Sequence, residues 1–223
     1  MADAHGEVHG GGLVAHHFED LQQQRDSVSL GMWLFLVTEI MFFGGVFAAY
    51  ALYRASYPQA FAEASHHLDV GLGAINTAVL IGSSLTMVLA VHAATQRQQR
   101  ATVGWLLLTI VLGSVFLGVK AVEYSHKFHD HLVPGHAFVF KGPPGGPAQI
   151  FFSLYFAMTG IHALHMGVGI VILLLMTVRA ARGRYTQGWH DPVELMGLYW
   201  HFVDIVWIFL FPLLYLIDRH GHP

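Results

Sequence analysis

Five apolar stretches, each long enough to cross a bilayer, leave this chain few ways to fold. They run over 27–53, 72–94, 101–124, 149–178 and 191–217. A membrane-spanning helix needs about 20 predominantly apolar residues. In hydrocarbon, backbone polar groups must be satisfied internally, which makes each stretch a helix. The expected fold is therefore all-α, a polytopic membrane bundle of five transmembrane helices over 27–217. Polar tails cover 1–26 and 218–223. Charged residues make up 11% of the chain, against about 25% in soluble domains. There is no cysteine, which excludes disulfides, Cys-ligated zinc and iron–sulfur clusters. A net charge of −3 gives no basic footprint for nucleic acid.

The first 26 residues lack the apolar core of a signal peptide and read as a mobile tail. Its histidines (5, 9, 16 and 17) could bind metal loosely, or simply be solvated. Arg54 and Pro58 end the first span. Asp191, Pro192 and Glu194 form a capping-box start for the fifth, and Pro212 is placed to kink its far end. Five spans put the termini on opposite sides. Arg25, Arg97, Arg100, Arg179, Arg182 and Arg184 fall on one face. Arg54, Lys120, Lys127, Lys141 and Arg219 fall on the other. Six against five, with the tight 179–184 cluster, favours a cytoplasmic N-terminus.

The apolar spans hold polar groups that are expensive at such depth, by roughly 2.5–3.5 kcal/mol for a central charge. Counted at about 1.5 Å per residue, Glu39 lies about 15 Å from the N-terminal face. His201 and Asp204 lie about 9 and 13 Å from it, and His162 and His165 about 8–12 Å. These five should form one inner polar layer and meet one another. Asn76, Lys120 and Glu123 form an outer layer, in which Lys120 and Glu123, three apart, can pair on one helix face.

Two chemistries fit the inner layer. His162 and His165 lie three apart, and His201 could join either of them in a bis-histidine haem site. Glu39 and Asp204 could instead complete a non-haem metal set. The other reading is a hydrogen-bonded packing cluster that holds no ion. Glu39 itself reads as a neutral acid, a hydrogen-bonded group or a proton-relay carboxylate. The long connection over 125–147, with its Gly-Pro breaker run, carries His126, His129, His131 and His136. The first three could bind a metal at a helix end. Ser83, Ser84, Thr77 and Thr86 mark helix–helix faces, and Gly44, Gly45, Gly104, Gly113 and Gly118 mark close approaches. The aromatic residues Trp33, Phe42, Phe43, Trp200 and Trp207 read as lipid or partner faces.

Five segments in order bear a resemblance to a known family. They are WLFLVTEIMFFGGVF with Glu39, INTAVLIGSSLTM with Asn76, KAVEY with Glu123, TGIHALHMGVG with His162 and His165, and YWHFVDIVWIFLFPLLY with His201 and Asp204. Together they resemble subunit III of the haem-copper respiratory oxidases. The resemblance implies a non-catalytic chain of a proton-translocating oxidoreductase in aerobic electron transport. It implies no cofactor bound by this chain, since haem and copper belong to the partner catalytic subunit I. It also implies phospholipid between the helices, support of proton uptake and of partner stability, contacts with other oxidase subunits, and a place in a bacterial inner membrane. On it the histidines become packing and hydrogen-bonding groups, and Glu39 a buried carboxylate with a proton-linked role. Many family members have seven helices, whereas this chain has five, so one wall of the family's lipid cleft is missing. A quinol oxidase or nitric-oxide-reductase-associated relative is the alternative. An independent haem or metal membrane protein is the rival from a different class.

Overall fold

The structure is a computed structural model that describes residues 20–135, 138–140, 145–183 and 191–217. The tail histidines, His136, Lys141, Arg184, Arg219 and the residues beyond 217 lie outside the described residues. Six helices are described: α1 (Leu21–Ser56), α2 (Pro58–Ser65), α3 (Val70–Thr95), α4 (Gln99–His129), α5 (Gly145–Ala181) and α6 (Asp191–Tyr215). All but α2 are long and apolar enough to span a bilayer, as the sequence leads one to expect.

The boundaries follow local chemistry. Asp20 caps α1 by accepting from the Gln23 amide at 2.7 Å, so this helix includes residues read from sequence as tail. Asp69 caps α3 through the Leu72 amide at 3.0 Å. The first span does not simply stop at Pro58. It breaks at Tyr57, and Pro58 opens α2 from the first helical position, where its missing N–H costs nothing. The polar run 125–129 continues α4 rather than opening a loop, which puts His126 and His129 on that helix.

The five long helices alternate in direction. The N-terminal face carries the start of α1, the α3–α4 turn, the end of α5 and the start of α6. Two bonds tie it: Arg25 Nε to Asp191 Oδ2 at 2.8 Å, and Gln99 Nε2 to the Ala181 carbonyl at 2.7 Å. The opposite face is tied by Lys127 Nζ donating to the His67 carbonyl, and by Tyr50 OH donating to the Leu213 carbonyl. Phe138 and Phe140 of the α4–α5 connection pack against Phe152 on this face.

Helix α6 is the centre of the bundle, packed against α3, α5 and α1. It is the most buried of the five long helices and α1 the least. Trp200, Trp207, Leu210, Leu214 and Tyr215 are fully buried on it. This corrects the surface reading of two tryptophans. Trp33 and Phe42 do face outward, but Phe43, Trp200 and Trp207 are core. The reason is the polar handle on each indole, which finds a hydroxyl across the helix interface: Trp200 Nε1 donates to Ser83 Oγ and Trp207 Nε1 to Thr77 Oγ1, both at 3.0 Å. Close approach also occurs at fewer glycines than expected. A Cβ at Gly113 would meet the Trp200 ring at 2.9 Å, and one at Gly169 would meet it at 3.0 Å. Among the described residues, no neighbouring helix comes within 4 Å of such an atom at Gly44, Gly45, Gly104 or Gly118.

Candidate functional site: three polar centres in the bundle

The inner layer expected from depth separates into distinct sites, because depth along a helix says nothing of azimuth around it. The first lies between α1 and α5. His165 Nε2 is 3.1 Å from Glu39 Oε2, and each side chain is less than a fifth exposed. His165 Nδ1 lies 2.8 Å from the Ile161 carbonyl, and the Phe43 ring packs on the imidazole. With Nδ1 donating to that carbonyl, Nε2 faces Glu39 as an acceptor, so the two share one proton whenever the pair is hydrogen-bonded. Tyr199 OH donates to the His165 carbonyl at 2.9 Å and anchors the site to α6. A groove of about 550 Å³ opens over the pair. Its walls include Met32, Phe35, Leu164 and Val168, and Arg179 lies toward the N-terminal face.

The second site lies between α3 and α6. Ser84 Oγ and His201 Nδ1 are 2.6 Å apart. Asp204, three residues further along α6, is 4% exposed, and among the described residues neither carboxyl oxygen makes a hydrogen bond of ordinary geometry. Ser84 is the polar side chain beside that carboxyl.

The third site is the outer one. Lys120 Nζ donates to Glu123 Oε2 at 2.9 Å, as the i,i+3 spacing leads one to expect. Two tyrosines that sequence reading did not single out complete it. Tyr155 of α5 and Tyr215 of α6 both donate to Glu123 Oε1, at 2.8 and 2.6 Å, and Lys120 Nζ reaches both hydroxyls. The ammonium also lies 4.9 Å from the Trp207 ring centroid. Asn76 does not join this network. Its amide donates to the Phe116 carbonyl at 3.4 Å, an interhelical bond to backbone.

His162 belongs with neither His165 nor His201. It is fully buried between Phe116 and Trp207, with ring centroids at 5.4 and 5.3 Å. Positions i and i+3 on α5 are about 60° apart in azimuth, enough for one ring to enter the core and the other to face α1. The three intramembrane histidines thus face three different neighbours. No group of three His, Asp or Glu among the described residues is placed to hold a metal ion, and this includes His126, His129 and His131.

The model of the family described as cytochrome c oxidase subunit III matches residues 8–218. This chain belongs to the cytochrome c oxidase subunit III family. Its relatives include cytochrome c oxidase subunit 3 of Thermostichus vulcanus, 35% identical over 85% of this chain and 87% of the relative. That of Corynebacterium diphtheriae is 34% identical over 86% and 88%. The cytochrome bo(3) ubiquinol oxidase subunit 3 of Pseudomonas aeruginosa is 29% identical over 97% and 94%. The family supplies a non-catalytic multi-pass membrane subunit to haem-copper oxidases, complexes that are oxidoreductases. In this member of the cytochrome c oxidase subunit III family, Tyr155, Tyr199 and Tyr215 are site residues that the sequence does not single out, and Ser84, expected only on a helix–helix face, is the partner of His201. Its hydroxyl on a helix face is what marks Ser84 in the sequence. For Tyr215 the mark is a polar tip four turns beyond His201 on the most buried helix.

Proposed function

We propose that this chain is the third, non-catalytic subunit of a terminal oxidase, and that it shapes the lipid and proton surroundings of catalytic subunit I. On this reading haem and copper belong to that partner and this chain holds no redox centre. One observation carries the reading: the groove between α1 and α5. Its apolar walls suit an acyl chain, and Arg179 suits an anionic phospholipid headgroup at the membrane face. The Glu39–His165 pair on its floor gives the groove a protonatable group within the membrane. Sidedness follows from the arginines. Arg25, Arg97, Arg100, Arg179 and Arg182 belong to the N-terminal face. Lys120, counted from sequence on the other, is buried against Glu123 and leaves the loop count. That face is assigned to the cytoplasm of a bacterial inner membrane. Cytochrome c oxidase is the class that the more similar relatives favour, with a ubiquinol oxidase as the alternative.

The test is native mass spectrometry of the gently purified complex, with turnover followed over time. Arg179→Ala is expected to lose a bound phospholipid. Glu39→Gln is expected to assemble normally yet to lower proton pumping or shorten catalytic lifetime. Unchanged lipid content in the first and unchanged pumping and lifetime in the second would overturn the proposal.

A further inference from the structure

On the other flank of α1 lies a second cavity, of about 720 Å³, between the start of α1, the end of α3 and the start of α6. It opens at the N-terminal face. Arg25, His92, Asp191 and Glu194 line it, with Asp26 beside them, and His201 marks its deep end. Arg25 is held in the ion pair with Asp191. The walls are helical stripes that continue past the cavity. On α3, His92 and Val88 are followed one turn on by Ser84. On α6, Asp191, Glu194 and His201 are followed by Asp204. The two stripes meet where Ser84 Oγ lies 2.6 Å from His201 Nδ1. Beyond that bond lies the Asp204 carboxyl, 4% exposed, with Ser84 as the polar side chain beside it. A buried, unpaired carboxylate is costly as an anion, and its neutral form removes most of that cost.

We propose that this cavity is a proton inlet ending at Asp204, with His201 and Ser84 as the last groups of the relay. A proton taken from the cavity at His201 Nε2 makes the ring cationic. The ring then releases its Nδ1 proton to Ser84 Oγ, while the serine hydroxyl passes its own hydrogen to the Asp204 carboxylate. One proton leaves the cavity, one carboxylic O–H forms, and His201 is left neutral with its hydrogen on Nε2. Running the steps backwards returns the proton, so the site loads and unloads by the same route. The titratable and charged groups along it are Arg25 and Asp26 on α1, His92 on α3, and Asp191, Glu194 and His201 on α6. The inlet is separate from the Glu39 groove and does not depend on lipid there.

The experiment is infrared spectroscopy of the membrane-embedded complex on transfer to heavy water. The carboxylic C=O band of Asp204 is identified by its loss in Asp204→Asn and its displacement in Asp204→Glu; the second variant serves if the first does not assemble. In the unaltered complex the band is expected to shift on exchange. Ser84→Ala, and Val88→Trp, which plugs the cavity at an exposed wall position, should slow that shift by about a hundredfold, the low end of what a positioned transfer group contributes. A band that never exchanges, the absence of any band that responds to either Asp204 variant, or exchange equally fast in both slowing variants would overturn the proposal. Turnover and lipid content do not enter this readout, so its failure would leave the proposed function standing.

Discussion

Glu123→Gln and Lys120→Met, made singly, are each expected to destabilise the folded chain by about 3–5 kcal/mol, the usual cost of breaking a buried pair from one side. Lys120 and Glu123 are 4% and 3% exposed, and their 2.9 Å bond is the centre of a four-residue network. Removing the carboxylate leaves an ammonium among Tyr124, Tyr155, Tyr215 and Trp207 with no counter-charge. Removing the ammonium leaves a carboxylate held only by two tyrosine hydroxyls. The double variant Lys120→Met with Glu123→Gln should recover most of the loss, because no bare charge remains and the Gln oxygen can still accept from the tyrosines. Thermal unfolding of the chain in detergent or lipid discs checks this. Single variants that cost no more than about 1 kcal/mol, the range of exposed pairs, would show that water reaches the pair.

The second large effect centres on Trp200. This fully buried ring lies against Gly113 of α4 and Gly169 of α5 and donates to Ser83 of α3, so one side chain holds three neighbouring helices against α6. Trp200→Ala is expected to cost about 3–5 kcal/mol, for lost burial and the cavity left behind. Gly113→Val should cost about 1–3 kcal/mol by overpacking, since its Cβ alone would come within 2.9 Å of the ring. Combining Gly113→Val with Trp200→Phe should cost less than the sum, because the smaller ring makes room for the added methyl groups. Strict additivity in the same unfolding measurement would contradict the packing described here.

These two sites show what a sequence can disclose about such a bundle. The spans were legible because a hydrocarbon solvent imposes length and helicity on each. The Lys120–Glu123 pair was legible because its spacing is local to one helix. The Glu39–His165 pair was half legible. Depth placed both groups in one layer, but only the packing of α1 on α5 selected His165 over His162 and His201. Tyr155 and Tyr215 were hidden because their role depends on pointing at a carboxylate of a third helix. Trp200 and Trp207 were misread for a related reason. An aromatic residue near a membrane looks the same in sequence whether it faces lipid or the bundle, and the deciding partners, Ser83 and Thr77, lie more than a hundred residues away. Helix α2 was missed because eight residues between breakers give too little apolar run to register.

The reading of the whole chain rests on its being a subunit without its own redox centre. The most direct measurement is purification in gentle detergent through a tag on this chain, with an absorption spectrum and protein mass spectrometry of each resolved component. The expected result is haem carried by a larger co-purifying subunit, while this chain, once separated from it, shows no Soret band and holds no metal. Haem or metal remaining with this chain alone would contradict the account and make His162, His165 and His201 the ligands to test.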